Sequence, residues 1–196
     1  MDNGAKLVIG AAVLLLALGI GAWYFATSQE DTSQSPTPPS PASRAVEYRG
    51  AGLGVLFHYP DSYTLEQVDL STGQRKHVSI ILTRKEDLPP PQNGEGPPTI
   101  TIDAFQNDLD KYTAETFVRT TNFTNFKLSP EGILAPTTVN GLPALSFRWS
   151  GLYEGRTVTV AREKWVYTFS VTHLTPQDQI ILDFEDMLDT VEFDPE

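Results

Sequence analysis

The stretch FHYPDSY, residues 57 to 63, holds the three residue types of a serine hydrolase within five positions: His58, Asp61 and Ser62. In that chemistry a histidine takes the proton of the serine nucleophile, and an acid orients the histidine. These residues are normally supplied by distant segments, because three near neighbours cannot easily converge on one substrate atom. A strand that ends at Pro60, followed by a turn at Asp61 and Ser62, is the simpler interpretation. We therefore predict no catalytic residue in this stretch.

The histidines are the next candidates for chemistry. The chain has three, His58, His77 and His173, and each is predicted to lie at the edge or end of a strand. Protein metal sites often take two histidines one turn apart on a helix, or at alternate positions of a strand. None of the three has a partner at such a spacing. We therefore predict no metal site and no cofactor at the histidines.

Two acids stand two positions apart, Asp108 and Asp110, in the segment NDLDKY. A calcium loop uses carboxylates at this spacing, but it also needs a glycine at its sharp turn and a bidentate glutamate at its end. Both are missing from this segment, so the calcium-loop template fails. A loose surface site for a cation remains an alternative.

Composition excludes several classes of function. The chain has 14 Lys and Arg against 25 Asp and Glu, a formal net charge of -11, which repels the phosphates of nucleic acids. It has no cysteine, and so no disulfide, thiolate metal ligand or cysteine nucleophile. The nucleophile elbow, the phosphate-binding loop and the dinucleotide fingerprint are absent as well. The sequence therefore predicts neither a nucleic-acid-binding protein nor an enzyme of these classes.

The N-terminus predicts a membrane anchor. Residues 7–26 form an apolar segment without charge, and as a helix its apolar part spans about 28 Å at about 1.5 Å per residue, close to the thickness of a hydrocarbon core. Lys6 precedes the segment and Trp23 stands near its far end, which favours a cytoplasmic tail at 1–6 and an exported remainder. A signal peptide cleaved near the small residues Gly19, Gly21 and Ala22 is the alternative.

A linker and one folded domain are predicted to follow the anchor. Residues 27–44 are rich in Pro, Ser, Thr and Gln, a composition that cannot bury apolar surface and that predicts a disordered linker. Residues 45–196 contain apolar runs at strand and helix spacings. They are predicted to form a single extracytoplasmic domain.

Strand-like runs dominate that domain. HVSIILTR at 77–84 and WVYTFSVTH at 165–173 alternate large apolar residues on one face, which is typical of strands in a sheet. The dipeptide Asn140-Gly141 is the best hairpin signal, because both residues tolerate the positive φ of a type I′ turn. Glu154-Gly155 is predicted to be another turn. The segment 88–98, LPPPQNGEGPP, is predicted to be a long loop.

Two helices are predicted. Thr113 is expected to cap a short helix through AETFVRT. A C-terminal helix is expected to have Thr175 as its N-cap and Pro176 as its first residue, with one apolar side facing the sheet. The acids of this helix are interpreted as its solvated face, with docking of a partner as the alternative: Asp183, Glu185, Asp186 and Asp189.

Four short motifs resemble the PsbP-like family, which is named for an extrinsic subunit of the oxygen-evolving complex. They are FxYP at a strand end, NGLPA at a hairpin, the aromatic strand WVYTFSV and the closing helix FEDMLDTVEF. The resemblance covers residues 46–193. It implies an α+β fold, an α/β/α sandwich with a central antiparallel sheet. It implies no photosynthetic function, because the namesake binds through its own N-terminal region, which here is an apolar segment and a linker.

The expected function follows from the anchor and from the lack of catalytic motifs. We expect a membrane-anchored, extracytoplasmic, non-catalytic domain that binds an unidentified protein partner and supports an envelope complex. We expect no catalytic residue, no metal and no cofactor. The alternatives are a small-ligand or cation-binding module, and an envelope enzyme whose site lies near the loop 88–98.

Overall fold

A computed structural model describes residues 44–90 and 94–195. The predicted tail at 1–6 and anchor at 7–26, and all but the last residue of the linker at 27–44, lie outside the described residues. Within the part that is described, no helix is long and apolar enough to cross a membrane.

The domain is built around a seven-stranded sheet whose neighbouring strands are all antiparallel. The order across the sheet is β3-β4-β5-β9-β8-β7-β6. The strands run from edge to edge as β3 (Tyr63–Asp69), β4 (His77–Arg84), β5 (Thr99–Gln106), β9 (Trp165–His173), β8 (Glu154–Ala161), β7 (Leu142–Ser150) and β6 (Ala135–Val139). The predicted runs at 77–84 and 165–173 are confirmed as β4 and β9.

The C-terminal helix, α2 (Gln179–Asp189), covers one face of the sheet, here called the first face; the opposite face is called the second. Its buried side consists of Ile180, Phe184, Met187 and Leu188, which pack in the main core against the alternating apolar residues of the central strands. The helix begins later than predicted: its N-cap is Asp178, whose carboxylate accepts a hydrogen bond from the Ile180 amide. The prediction of Thr175 was wrong because Asp178 is also held by Arg84, 3.1 Å away on β4.

The short helix α1 (Ala114–Thr120) lies over the second face. Thr113 is its N-cap and accepts a hydrogen bond from the Thr116 amide, as predicted. Phe117 and Val118 are its buried residues, and they belong to two small apolar clusters with sheet residues of this face. An antiparallel sheet with a helix on each face is compatible with the predicted sandwich.

A second, three-stranded sheet was not foreseen. It has the order β1-β2-β10, formed by β1 (Ala45–Arg49), β2 (Val55–Pro60) and β10 (Glu192–Phe193). Phe57 of β2 is fully buried in the main core, so this sheet extends the core of the larger one. Single-turn 3₁₀ helices also occur at Lys85–Asp87 and Asn125–Leu128.

One of the two predicted turns is confirmed. Asn140 and Gly141 connect β6 and β7 with φ angles of 48° and 73°, as a type I′ turn requires. Glu154 and Gly155 instead belong to β8, and the turn before them lies at 151–153.

Candidate functional site

The residues of FHYPDSY turn to different neighbours. His58 Nε2 lies 3.8 Å from a carboxylate oxygen of Glu47 on β1. The Asp61 amide donates to the Arg44 carbonyl, and the Ser62 carbonyl accepts from the Lys85 amide. Asp61 and Ser62 form the turn between β2 and β3. This geometry is that of a strand end and its turn.

His77 contacts both a carboxylate and an aromatic ring. Its Nε2 lies 2.9 Å from Asp103 Oδ1, and its ring stacks on Phe105 with 4.1 Å between the ring centroids. His173 has a buried Nδ1 with no hydrogen-bond partner in the part of the chain that is described. Among the described residues, no three or more His, Asp or Glu side chains come together as a potential metal site.

The acids of NDLDKY are held by protein groups. Both carboxylate oxygens of Asp110 accept hydrogen bonds of 2.7 Å from the Arg75 guanidinium. These hydrogen bonds and the positive charge of Arg75 hold the pKa of Asp110 below its ordinary value. The Asp108 carboxylate accepts a hydrogen bond from the side-chain amide of Gln106. The carboxylate that a cation would need is therefore already held by a bidentate ion pair between Asp110 and Arg75.

The acids of α2 divide into two kinds. Asp186 and Asp189 are exposed, as predicted. Asp183 and Glu185 are half-buried instead: Asp183 accepts a hydrogen bond of 2.7 Å from the Tyr63 hydroxyl, and Glu185 pairs with Arg156. Burial, this hydrogen bond and the negative charge of Asp183 raise the pKa of Tyr63. The two half-buried acids therefore attach the helix to the sheet.

The loop at 88–98 touches the domain at its far end, where the Tyr153 hydroxyl donates to the Gly96 carbonyl. None of the described residues of this loop lines the groove or the cavity described below. Residues 91–93 lie outside the described part.

An open groove of about 770 Å³ lies beside α1 and is here called the α1 groove. Its volume is in the range of about 300–1,000 Å³ that ligand sites occupy. One wall is the segment that leads into α1, and the other is formed by β6, β7 and the end of β8. The lining residues are Asn107, Lys111, Tyr112, Thr113, Ala114, Glu115, Pro136, Thr137, Pro143, Ala144, Leu145, Ala161, Arg162 and Glu163.

Asn107 fixes the first wall. Its side chain, in a residue only 2% exposed, donates to the carbonyls of Tyr112 and Arg162 and accepts from the Tyr112 amide at 2.7 Å. The Asn107 amide also donates to the Lys164 carbonyl. One buried amide therefore joins the segment before α1 to the turn between β8 and β9, so the groove is formed before any ligand arrives.

The rim of the α1 groove carries charges of both signs. Lys111 Nζ lies 3.7 Å from Glu163, and Glu115 pairs with Arg119 at 2.9 Å. Arg162 donates to the Asp194 carbonyl and lies over the Phe193 ring. Between these charges the wall formed by β6 and β7 is apolar, with Pro136, Pro143 and Leu145. An apolar centre with a mixed polar rim is the anatomy of a protein-binding surface.

Comparison with known structures identifies the fold. The solution structure of cyanobacterial PsbP (CyanoP) from Synechocystis sp. PCC 6803 is similar to this chain with a TM-score of 0.50, at 12% sequence identity, over 80% of this chain and 95% of that one. The chain has a PsbP-like fold. Neither protein-family models nor curated protein sequences match it.

A crystal structure from Bacteroides thetaiotaomicron VPI-5482 is also similar, with a TM-score of 0.44 and 11% identity over 76% of this chain. The PsbP-like chain spans about half, 48%, of that longer structure.

Sequence reasoning missed the α1 groove of this PsbP-like domain. The acids of NDLDKY suggested a cation site, yet the residue of this segment that shapes the groove is Asn107, the asparagine before them. A signal was present, since Asn often bonds the backbone a few residues on and so organises a turn. Its second partner, the Arg162 carbonyl, lies 55 residues away and cannot be read from a local pattern.

Proposed function

We propose that the chain is a membrane-tethered, extracytoplasmic accessory domain that works by binding a protein partner, without catalysis of its own. Residues 7–26 would be the tether, 27–44 the spacer and the PsbP-like domain the binding part. The tether is supported by an uncharged apolar run of membrane-spanning length.

The α1 groove is the observation that carries this proposal. It is large, open and preformed by Asn107, and its β6–β7 wall is apolar between charged ends. An open groove of this kind suits a segment of another protein better than a small molecule, which is usually enclosed on most of its surface. The partner segment would place apolar side chains on Pro136, Pro143 and Leu145, and charged ones near Lys111 and Glu115.

Site-specific photocrosslinking in cells that express the full-length protein tests the binding surface. A photoreactive amino acid is placed at Pro143 or at Glu115, on the two walls of the groove. The matched control is Glu66, an exposed residue of β3, the strand at the opposite edge of the sheet from β6. We expect both groove positions to capture the same protein, and Glu66 not to capture it. Capture of the same protein from all three positions, or from Glu66 alone, would refute the groove as the contact surface.

The tether is tested separately by fractionation. After a carbonate wash the full-length protein should stay with the membranes, and a protease added outside should remove the folded domain. Release into the soluble fraction would show that the N-terminal segment is cleaved. This result would overturn the tether and leave the crosslinking test of the groove unaffected.

A further inference from the structure

A second concave feature lies on the second face of the sheet, away from the α1 groove. It is a cavity of about 160 Å³ between the central strands and the segment 123–125, and it is here called the hydroxyl cavity. Its lining residues are Thr101, Asp103, Phe123, Thr124, Asn125, Trp149, Thr157, Thr168, Ser170 and Thr172. Eight of these ten residues carry a side-chain oxygen, and the other two are aromatic.

Close packing of this face does not require hydroxyl-bearing side chains. Thr157 and Thr168 are each 2% exposed, on central strands under a layer of covering chain. Valine has nearly the same shape and the same preference for strands, and it would avoid the cost of taking a hydroxyl out of water. The apolar clusters of Phe105 and Phe147 show that other parts of this face are covered in the ordinary way.

The hydroxyls form a partly satisfied network. The Trp149 indole N–H donates to Thr157 Oγ1 at 3.1 Å, and this oxygen lies 2.9 Å from Ser170 Oγ. On the same face, the register partner of Thr168 is Thr159, which is fully buried, does not line the cavity, and has an Oγ1 without a hydrogen-bond partner among the described residues. Because a hydroxyl offers one donor and two acceptor sites, the lining hydroxyl of Ser170, which contacts Thr157 Oγ1, keeps capacity for a ligand.

Charge and shape define the ligand. Asp103 places a carboxylate in the wall, its Oδ1 being 2.9 Å from His77 Nε2, so an anion would be repelled. Phe123, which is 57% exposed, and Trp149 add flat apolar surfaces that suit C–H groups. The volume equals that of about five water molecules at about 30 Å³ each, roughly the size of a polyol of three to five carbons.

We propose that the hydroxyl cavity binds a small neutral polyol, whose hydroxyl groups pair with Asp103, Thr168 and Ser170 and whose carbon chain lies against the aromatic rings. The site is independent of the α1 groove and of the proposed partner. Its test can therefore fail or succeed without bearing on the crosslinking result.

The indole of Trp149 supplies a direct probe of the cavity. The full-length protein is labelled with ¹⁵N at its tryptophan indoles, and the Trp149 resonance is assigned with the Trp149→Phe variant. Glycerol, erythritol and xylitol are then titrated one at a time. We expect a saturable shift of the Trp149 indole resonance with at least one of them, while Trp165, which is outside the cavity, does not follow it.

Near-isosteric variants decide the assignment. Thr168→Val and Asp103→Asn should each weaken the apparent affinity by about tenfold, the loss expected for a hydrogen bond to the ligand. Thr64→Val, the same chemical change on the edge strand β3, should leave it unchanged. Ser170→Ala replaces Thr168→Val if a thermal melt shows that the latter is unfolded.

Three outcomes would overturn the proposal. The first is a linear, equal drift of the Trp149 and Trp165 resonances with every polyol. The second is an unchanged titration in Thr168→Val or Ser170→Ala and in Asp103→Asn. The third is a saturable response to ethylammonium alone, which would make the cavity a cation site.

Discussion

The indole of Trp149 fills the space in which a β-carbon of Gly155 would stand. The two residues are register partners on β7 and β8, and an ideal β-carbon on Gly155 would lie 2.3 Å from Cζ2 of the indole. This position brings the indole N–H to Thr157 and makes Trp149 part of the wall of the hydroxyl cavity. A glycine inside a strand often marks such a close approach, which explains why Gly155 belongs to a strand although it was predicted to be a turn.

Gly155→Ala should therefore destabilise the fold. The new methyl group must push the indole away, and overpacking of this kind costs about 1–3 kcal/mol of unfolding free energy. Urea denaturation measures it. The matched control is Gly151→Ala, where the new methyl group meets only Leu128 at 3.4 Å and the expected change is within about 0.5 kcal/mol. Equal losses in both variants would contradict the role assigned to Gly155.

Tyr63→Phe should destabilise the attachment of α2 to the sheet. The buried hydroxyl donates to the Asp183 carboxylate, and hydrogen bonds to charged groups contribute about 1.5–3 kcal/mol. Urea denaturation at neutral pH measures the loss. As a control, Tyr59→Phe changes the hydroxyl of a half-buried tyrosine on β2 and should have a smaller effect.

The same pair predicts the alkaline stability of the domain. The pKa of Tyr63 is raised in the folded state, so its contribution is fully present below the unfolded value of about 10 and is lost as the pH rises above it. As the pH rises above about 10, the free energy of unfolding of the wild type should therefore fall more steeply than that of Tyr63→Phe. Denaturation at a series of alkaline pH values checks this, and parallel curves for the two proteins would argue against it.

The individual strands, the helix cap and the turn of this domain were predictable from the sequence, whereas the contacts between distant segments were not. The strands β4 and β9, the cap at Thr113 and the turn at Asn140 and Gly141 depend on periodicity and on local backbone preferences. Such signals lie within a few residues of the chain. These elements were therefore predicted with the boundaries that the structure shows.

The misses have one physical cause. The start of α2 is set by Arg84, the position of Gly155 by Trp149 and the burial of Asp183 by Tyr63, each a contact with another element. The candidate sites follow the same rule. The hydroxyl cavity arises only when β5, β9 and β8 pair, because its oxygens come from alternate residues of separate strands.

Arg75→Gln should shift the titration of Asp110. The bidentate guanidinium lowers the pKa of this carboxylate, so the pair contributes to stability above the unfolded value of about 3.9 and the contribution is lost as the pH falls through the lower folded value. Carbon-13 NMR of the Asp110 carboxyl group should show a higher pKa in the variant. Lys76→Gln, which removes the neighbouring positive charge, is the control and should leave the Asp110 titration nearly unchanged.

Asn107→Leu should destroy the preformed wall of the α1 groove. The substitution keeps a similar volume but removes three side-chain hydrogen bonds, and at about 1 kcal/mol each the expected loss of stability is about 3 kcal/mol. The amide resonance of Tyr112, whose N–H donates to the Asn107 side chain, should shift strongly in an NMR spectrum. Asp108→Ala, one residue on, removes only an exposed hydrogen bond and should cost less than about 1 kcal/mol. If both variants fold, crosslinking from Pro143 should fall in Asn107→Leu and persist in Asp108→Ala, because a partner that needs the wall loses it only in the first. Undiminished crosslinking in Asn107→Leu would mean that binding of the partner does not depend on the groove wall that Asn107 holds in place.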